Sequence, residues 1–143
     1  MDFERLVGVF EKLEEISSGN AIRELIAEFL KTVAREDLVD VCYLLLGKIS
    51  SDYDDVVLGM AEKSVLKSIA LAGGTEVTKV VKLVRETGDA GLVAQKVLQK
   101  KPRTLVPLEP LTVHDVVEKL HILAASSGSG SQDAKVVQLA IVL

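Results

Sequence analysis

The sequence predicts an all-α protein, in which several helices form an array without a β-sheet. Apolar residues recur three and four positions apart along most of the chain, the spacing that places them on one face of a helix. Clusters of Ser, Gly and Asn interrupt this pattern about once per helix length, as helix boundaries do. The 143 residues are enough for one domain with its own core, and only residues 104–108 are compatible with an extended strand.

The N-terminal third contains three predicted helices. Residues 17–20 end the first, and Asn20 is predicted to cap the second, because its side chain can accept a hydrogen bond from a first-turn amide. The third is predicted to begin at Glu36-Asp37, since acidic residues are favoured in a first turn. It is expected to bury much of its surface, because residues 38–46 are mostly apolar. The apolar stripe of the first helix consists of Leu6, Val9, Phe10, Leu13 and Ile16.

The middle of the chain contains three more predicted helices. One spans residues 61–71 and ends at the glycine pair 73–74, which is typical of a helix C-terminus. Thr75 is predicted to cap the next helix, and a short helix follows that ends at Leu98. Beyond it, the prolines of residues 100–111 favour extended backbone.

Two predicted helices complete the chain, and a short repeat links them to the N-terminus. Thr112 is predicted to cap a long helix that ends near Ser126, and Ser131 to cap the last helix. Glu-Lys-Leu followed by Ser-Ser-Gly occurs at residues 11–19 and again at residues 118–128, although a match this short also arises by chance. A true repeat predicts an approximate internal two-fold organisation whose second half is incomplete.

The repeat divides the chain into three predicted parts. These are a first helical half (1–99), a linker (100–111) and the start of a second half (112–143). We therefore expect the chain to be a piece of a longer protein. An exposed apolar face at residues 141–143 would otherwise need a partner.

Charge and composition exclude several classes of protein. The formal net charge is −4, so the chain has no overall positive field, and aromatic residues make up 3%, too few for the aromatic platforms of RRM or OB-fold nucleic-acid binders. Cys42 is the only cysteine and the acidic N-terminus resembles no signal peptide, which favours a cytoplasmic, intracellular protein. The apolar runs are too short to cross a bilayer, so no membrane contact is predicted.

No catalytic, cofactor-binding or metal-binding residues are predicted. His114 and His121 are seven positions apart on one predicted helix, farther than paired helical metal ligands, so solvent-facing or capping roles are favoured. Cys42 lies in the most apolar helix, where a thiol usually behaves as a small hydrophobe. The sequence contains no Walker or Rossmann fingerprint and no Lys-x-Asp-Gly nucleotidyl-acceptor motif.

A Ser/Gly loop is the first candidate binding feature. It precedes a helix whose positive N-terminal end, together with a lysine in its first turns, suits a phosphate group. The plainer interpretation is an ordinary capped connection between two helices. The residues concerned are Ser127, Gly128, Ser129, Gly130, Ser131 and Lys135.

A basic cluster is the second candidate. Lys100, Lys101 and Arg103, close to Lys96, suit phosphate groups as well, although such a run also serves as a solubilising linker. The loop and the cluster together predict a surface that binds a duplex by its phosphate backbone without recognising its bases.

Four segments form an ordered set that spans nearly the whole chain. They are the opening helix at residues 10–16, the Gly-Asp-x-Gly-x-Val-Ala turn at residues 88–94, the Pro-Leu-Thr-Val segment at residues 110–113 and the Gly-rich loop with its helix at residues 127–139. In this order they resemble the N-terminal DNA-binding domain of ATP-dependent DNA ligases of the archaeal and eukaryotic replicative type.

The resemblance implies an all-helical domain that binds the minor groove of nicked duplex DNA, while the adenylation and OB-fold domains of the same enzyme encircle the nick. It implies that this enzyme acts in replication, repair and recombination and uses ATP and Mg²⁺. An enzyme lysine is adenylated, AMP moves to the 5′-phosphate, and the 3′-hydroxyl attacks. The lysine motif is missing here, so this chain is expected to be inactive alone and to hold no cofactor.

The resemblance is incomplete in two places. A second DNA-contacting loop of the family has its counterpart at residues 47–62, where the family's Arg is not matched, so no DNA contact is assigned there. Some members carry a double-Phe motif for a sliding clamp, whereas residues 101–107 contain no aromatic residue, which leaves a clamp contact open. The alternative function is a non-enzymatic helical protein-interaction module, in which the Ser/Gly run is a linker.

Overall fold

The computed structural model describes residues 1–100, 110–126 and 130–143, and these residues form eight α-helices with no strand among them. The predicted all-α class is therefore confirmed. The possible strand at residues 104–108 lies outside the described residues. In chain order the helices are α1 (Phe3–Glu14), α2 (Gly19–Leu30), α3 (Leu38–Leu45), α4 (Glu62–Ala72), α5 (Val77–Thr87), α6 (Ala90–Leu98), α7 (Val113–Ala125) and α8 (Ser131–Val142).

The chain divides into two compact units, each assembled from two stretches of sequence. Unit 1 comprises Met1–Val56 and Leu108–His121, and unit 2 comprises Val57–Pro107 and Ile122–Leu143. These units differ from the consecutive halves that the short repeat suggests. The internal two-fold repeat stays a prediction.

Unit 1 has an aliphatic core that includes one phenylalanine. Its six core side chains are each less than a tenth exposed, and burial of a side chain of this size stabilises a fold by about 1.5–3 kcal/mol. Arg5 lies 5.7 Å from the centre of the Phe29 ring and donates a 2.6 Å hydrogen bond to Thr32 Oγ1. The core residues are Leu6, Val9, Phe29, Val41, Val113 and Val117.

The first residues of the chain are tied to the segment before α7. Phe3 N–H donates to the Leu111 carbonyl and Val113 N–H donates to the Met1 carbonyl, each over 2.8 Å. The Met1 amine donates to Asp37 Oδ2, also over 2.8 Å, and the Asp37 side chain is largely buried. The hydrogen bond to Asp37 raises the pKa of this amine above its ordinary value near 8, and burial opposes the rise.

A reciprocal cap starts α7. Asp115 N–H donates to Thr112 Oγ1 over 3.1 Å, while Asp115 Oδ2 accepts from the Thr112 hydroxyl (2.6 Å) and from Thr112 N–H (2.9 Å). The hydroxyl and amide bonds lower the pKa of the Asp115 carboxyl. The cap predicted at Thr112 is therefore confirmed, and α7 ends at Ala125, one residue from the predicted end.

Unit 2 has a separate aliphatic core between α4, α5 and α6. The close approach of α4 to α6 depends on Gly73, since a Cβ atom at this position would lie 2.1 Å from Val97 Cγ1. The α5 to α6 turn uses Gly88 in the left-handed region, φ 76, followed by Asp89, whose carboxylate caps α6 through Leu92 N–H at 2.9 Å. The core residues are Leu66, Ile69, Ala70, Val80, Val93, Ala94 and Val97.

Two predicted caps in the first part of the chain are wrong. Ser18, and not Asn20, caps α2, with its hydroxyl 3.5 Å from Ala21 N–H. Glu76, and not Thr75, is the N-cap residue of α5. Ser18 and Asn20 both have the right chemistry for a cap, whereas Glu76 makes no side-chain cap hydrogen bond, so α5 begins one residue later than the capping chemistry of Thr75 predicts.

Several large apolar side chains are exposed. In α3 Val41 is buried, Val39 is 61% exposed and the other six residues are half-buried, so this helix buries part of its surface. An apolar sequence favours burial but does not supply a neighbouring surface to cover it. At the other end of the chain, Ile141 is 70% and Leu143 43% exposed, as expected for this apolar run.

Deprotonation of the Met1 amine is expected to lower the free energy of unfolding in alkaline solution. Because folding raises its pKa, its contribution to the free energy of unfolding is complete below the unfolded value, about 8, and is lost as pH rises through the folded value. Urea unfolding of the wild-type chain and of Asp37→Asn, measured from about pH 7 to pH 10, should show a steeper decline for the wild type. Equal declines in the two proteins would contradict the contact.

Gly73→Ala should destabilise unit 2 by about 1–3 kcal/mol, because the new methyl group overlaps the Val97 side chain. Gly8→Ala is the matched control: Gly8 lies within α1 and nothing lies within 4 Å of its added Cβ atom, so a gain of about 0.5–1 kcal/mol is expected. Urea unfolding measures both. A lower free energy of unfolding for Gly73→Ala and a higher one for Gly8→Ala support the close approach of α4 to α6. A higher free energy of unfolding for Gly73→Ala rules it out.

Candidate nucleic-acid interface

The predicted phosphate-binding residues all belong to unit 2, and the structure describes some of them. Four are described: Gly130, Ser131 and Lys135 at the start of α8, and Lys100 just after α6. Five lie outside the described residues: Ser127, Gly128, Ser129, Lys101 and Arg103.

The start of α8 is built on a glycine. Gly130, and not the predicted Ser131, is the N-cap residue, and its φ of 81° lies in the left-handed region that favours glycine. Because glycine has no side chain, the N-cap residue offers no side-chain acceptor to the first amides of α8. Gly130 and Gln132 are exposed, and one carboxylate, that of Asp133, lies in the same turn. This helix end therefore presents N–H donors beside a single acidic group.

Lys135 is buried in unit 2. Its side chain is only 5% exposed, and its ammonium donates a 2.7 Å hydrogen bond to the carbonyl of Leu58, in the segment that precedes α4. A Cβ atom on the neighbouring Gly59 would lie 2.9 Å from this ammonium, and Gly59 has a φ of +59°. The phosphate contact assigned to Lys135 stays a prediction, and it would require the ammonium to leave the Leu58 carbonyl.

Gln132 makes a second link to the same segment. Its Nε2 donates to the Gly59 carbonyl over 3.1 Å, and its Oε1 accepts from the Ser64 hydroxyl over 3.5 Å. Gln132 and Lys135 are three positions apart, so both side chains point from one face of α8. No local sequence pattern predicts this contact, because the partners of Gln132 lie 68 and 73 positions away along the chain.

Charge is divided unequally between the two units. The sequence of unit 1 carries seven Lys and Arg against sixteen Asp and Glu, whereas that of unit 2 carries ten against five. The formal side-chain charges are therefore −9 and +5, which together make the −4 of the whole chain. The Ser/Gly loop and the basic cluster both belong to the basic unit, where a local positive potential favours anions.

Within the described part of the chain, no group of His, Cys, Asp and Glu could hold a metal ion. His114 is 75% exposed, with Nδ1 at 3.5 Å from Asp40 Oδ2, in line with the predicted solvent-facing position. Cys42 is a half-buried free thiol. None of the described helices is long and apolar enough to cross a membrane.

The sequence matches a family model described as the DNA ligase N terminus over residues 2–143. It is 38% identical over 143 residues to a DNA ligase of Nanoarchaeum equitans and 34% identical over 140 residues to a DNA ligase of Thermococcus fumicolans. It is also 35% identical over 143 residues to a probable DNA ligase of Dictyoglomus turgidum.

The alignments cover this chain almost completely and its relatives only in part. They include 100%, 98% and 100% of this chain, but 25%, 25% and 24% of the respective relatives. The chain thus spans about a quarter of the length of the curated relatives it matches.

The contact between α8 and the segment before α4 can be tested by a double-mutant cycle on Gly59→Ala and Lys135→Met. Gly59→Ala introduces strain at a positive φ in either background, but its methyl group meets the ammonium only when Lys135 is present. The substitution should therefore cost about 1 kcal/mol less in the Lys135→Met background, as measured by urea unfolding. Additive effects of the two substitutions would show that the ammonium does not lie against Gly59.

Proposed function

The chain belongs to the family of DNA ligase N-terminal regions, and from this membership we propose that it binds nicked duplex DNA irrespective of base sequence. The proposed contacts are with the phosphate backbone along the minor groove. Relatives named DNA ligase support DNA as the substrate class, since such an enzyme must hold its nucleic acid.

The charge of unit 2 is the observation that carries this proposal. A surface that neutralises phosphates releases condensed counterions and so binds DNA without base contacts. Unit 2 has a formal charge of +5 for this purpose, whereas unit 1, at −9, repels the phosphate backbone. We therefore assign the DNA-facing surface to unit 2.

Within unit 2, the loop before α8 is the proposed phosphate contact. Gly130 and Ser131 supply backbone N–H groups and a hydroxyl at the positive end of a helix. Ser127, Gly128 and Ser129 complete the loop in this proposal, and Lys100, Lys101 and Arg103 add charge. The Lys135 ammonium donates a hydrogen bond to the Leu58 carbonyl, so its proposed contribution to DNA binding is chiefly to hold α8 in place.

The proposal for the whole enzyme follows the family. The remainder of the ligase, with its adenylation and OB-fold domains, supplies the lysine that carries AMP and binds ATP and Mg²⁺. This chain contains no Lys-x-Asp-Gly motif, so it is proposed to be inactive by itself. Nick sealing in replication, repair and recombination is the corresponding role, and a sliding-clamp contact stays open.

Gly130→Glu and Gly130→Gln provide a matched test of the loop. The two side chains have the same size and impose the same strain at a φ of 81°, so they differ only in charge. If phosphates lie at this helix end, Gly130→Glu should weaken binding to a nicked duplex more than Gly130→Gln does. The difference should shrink between about 50 and 200 mM salt, because screening weakens charge repulsion.

Fluorescence anisotropy with the 143-residue chain and a labelled nicked duplex measures these affinities. Circular dichroism of both variants controls for folding. Equal affinities of the two variants at low salt would show that the loop does not contact the DNA phosphates. A wild-type chain that does not bind duplex at all would favour the alternative, a helical protein-interaction module.

A further inference from the structure

We propose that a groove in unit 2, lined by Lys79, Lys96 and Lys100, binds successive backbone phosphates of the same DNA. The inference rests on the proposed function and adds a second contact surface to it. The groove has a volume of about 360 Å³, and its described lining residues do not include Gly130, Ser131 or Lys135. Lys79 is not part of the basic cluster seen in the sequence, and the structure brings it beside that cluster.

The walls of this lysine groove come from three helices. The turn between α4 and α5 contributes Gly73, Gly74 and Thr75, and Gly74 has a φ of +61°. The side chains of Leu83 and Val97 form its apolar part. Because Gly73 lies against Val97 without room for a side chain, the end of α4 and the end of α6 are held close together. One wall of the groove therefore belongs to the packed core of unit 2.

Lys79 lies near the positive end of its own helix. It is in the first turn of α5, which contains no acidic residue, and the one carboxylate at the helix start is that of the N-cap residue Glu76. Lys96 and Lys100 lie at the opposite, negative end of α6, where lysine is favoured. An anion bound beside the start of α5 would interact favourably with the Lys79 ammonium and with the positive end of the helix.

The chemistry of the groove matches a DNA phosphate. All three lysines are exposed, and the described residues that line the groove include no acidic side chain. Among the described residues, the ion pairs of the chain do not involve these three lysines. Three positive groups at the edge of an open groove suit a polyanion that runs across the surface, and unit 2 as a whole has the charge to attract it.

A triple variant and a matched control test this inference. Lys79→Gln/Lys96→Gln/Lys100→Gln removes three charges from the groove, and Lys63→Gln/Lys67→Gln/Lys82→Gln removes three from exposed positions of α4 and α5 that do not line it. Salt dependence is measured as the slope of the logarithm of the binding constant for nicked duplex against the logarithm of the salt concentration. The magnitude of this slope should fall by about one unit for each phosphate that the variant no longer neutralises. The groove variant is expected to show a slope lower by about two to three units, and the control a slope lower by less than about one.

The outcomes separate this inference from the proposed function. If the wild-type chain binds the duplex and the slope falls equally in both triple variants, the groove is not a specific contact and the inference is overturned. The same holds if the groove variant weakens binding of inorganic phosphate but not of duplex. If the wild-type chain shows no duplex binding at low salt, the proposed function itself fails. Thermal unfolding of both variants controls for folding.

Discussion

A buried ammonium group needs an acceptor, and this requirement ties α8 to the backbone that precedes α4. Lys135 meets it through the Leu58 carbonyl, and Gln132 reinforces the link at Gly59. The start of α8 is thereby held at one edge of unit 2. Gly130 and Ser131, the described part of the proposed phosphate contact, belong to this anchored helix start, and preorganised donors lower the cost of binding.

The two units carry opposite formal charges, and this difference decides which unit is proposed to face DNA. A chain of net charge −4 is a poor candidate for DNA binding when it is treated as a uniform body. Divided into its two units, the same chain contains one basic and one acidic body. Under the proposed function, the basic unit attracts phosphates and the acidic unit repels them.

The sequence was most informative where the signal is local. The cap at Thr112 and the end of α6 at Leu98 follow from neighbouring residues, whereas the cap of α2 is displaced because Ser18 and Asn20 both suit the position. The burial of Lys135 depends on a partner far along the chain, which no local pattern contains. The basic unit was detectable, since residues 57–107 alone carry nine Lys and Arg against four Asp and Glu, but whole-chain net charge averages this out.

The central claim is that DNA lies on unit 2, and amide chemical-shift mapping tests it most directly. A ¹⁵N-labelled 143-residue chain would be titrated with a nicked duplex at low salt. The account expects the shifted amides to cluster at Gly130, Ser131 and the lysine groove, while amides of α1 to α3 stay unchanged. Shifts concentrated in unit 1, or spread evenly over both units, would contradict it.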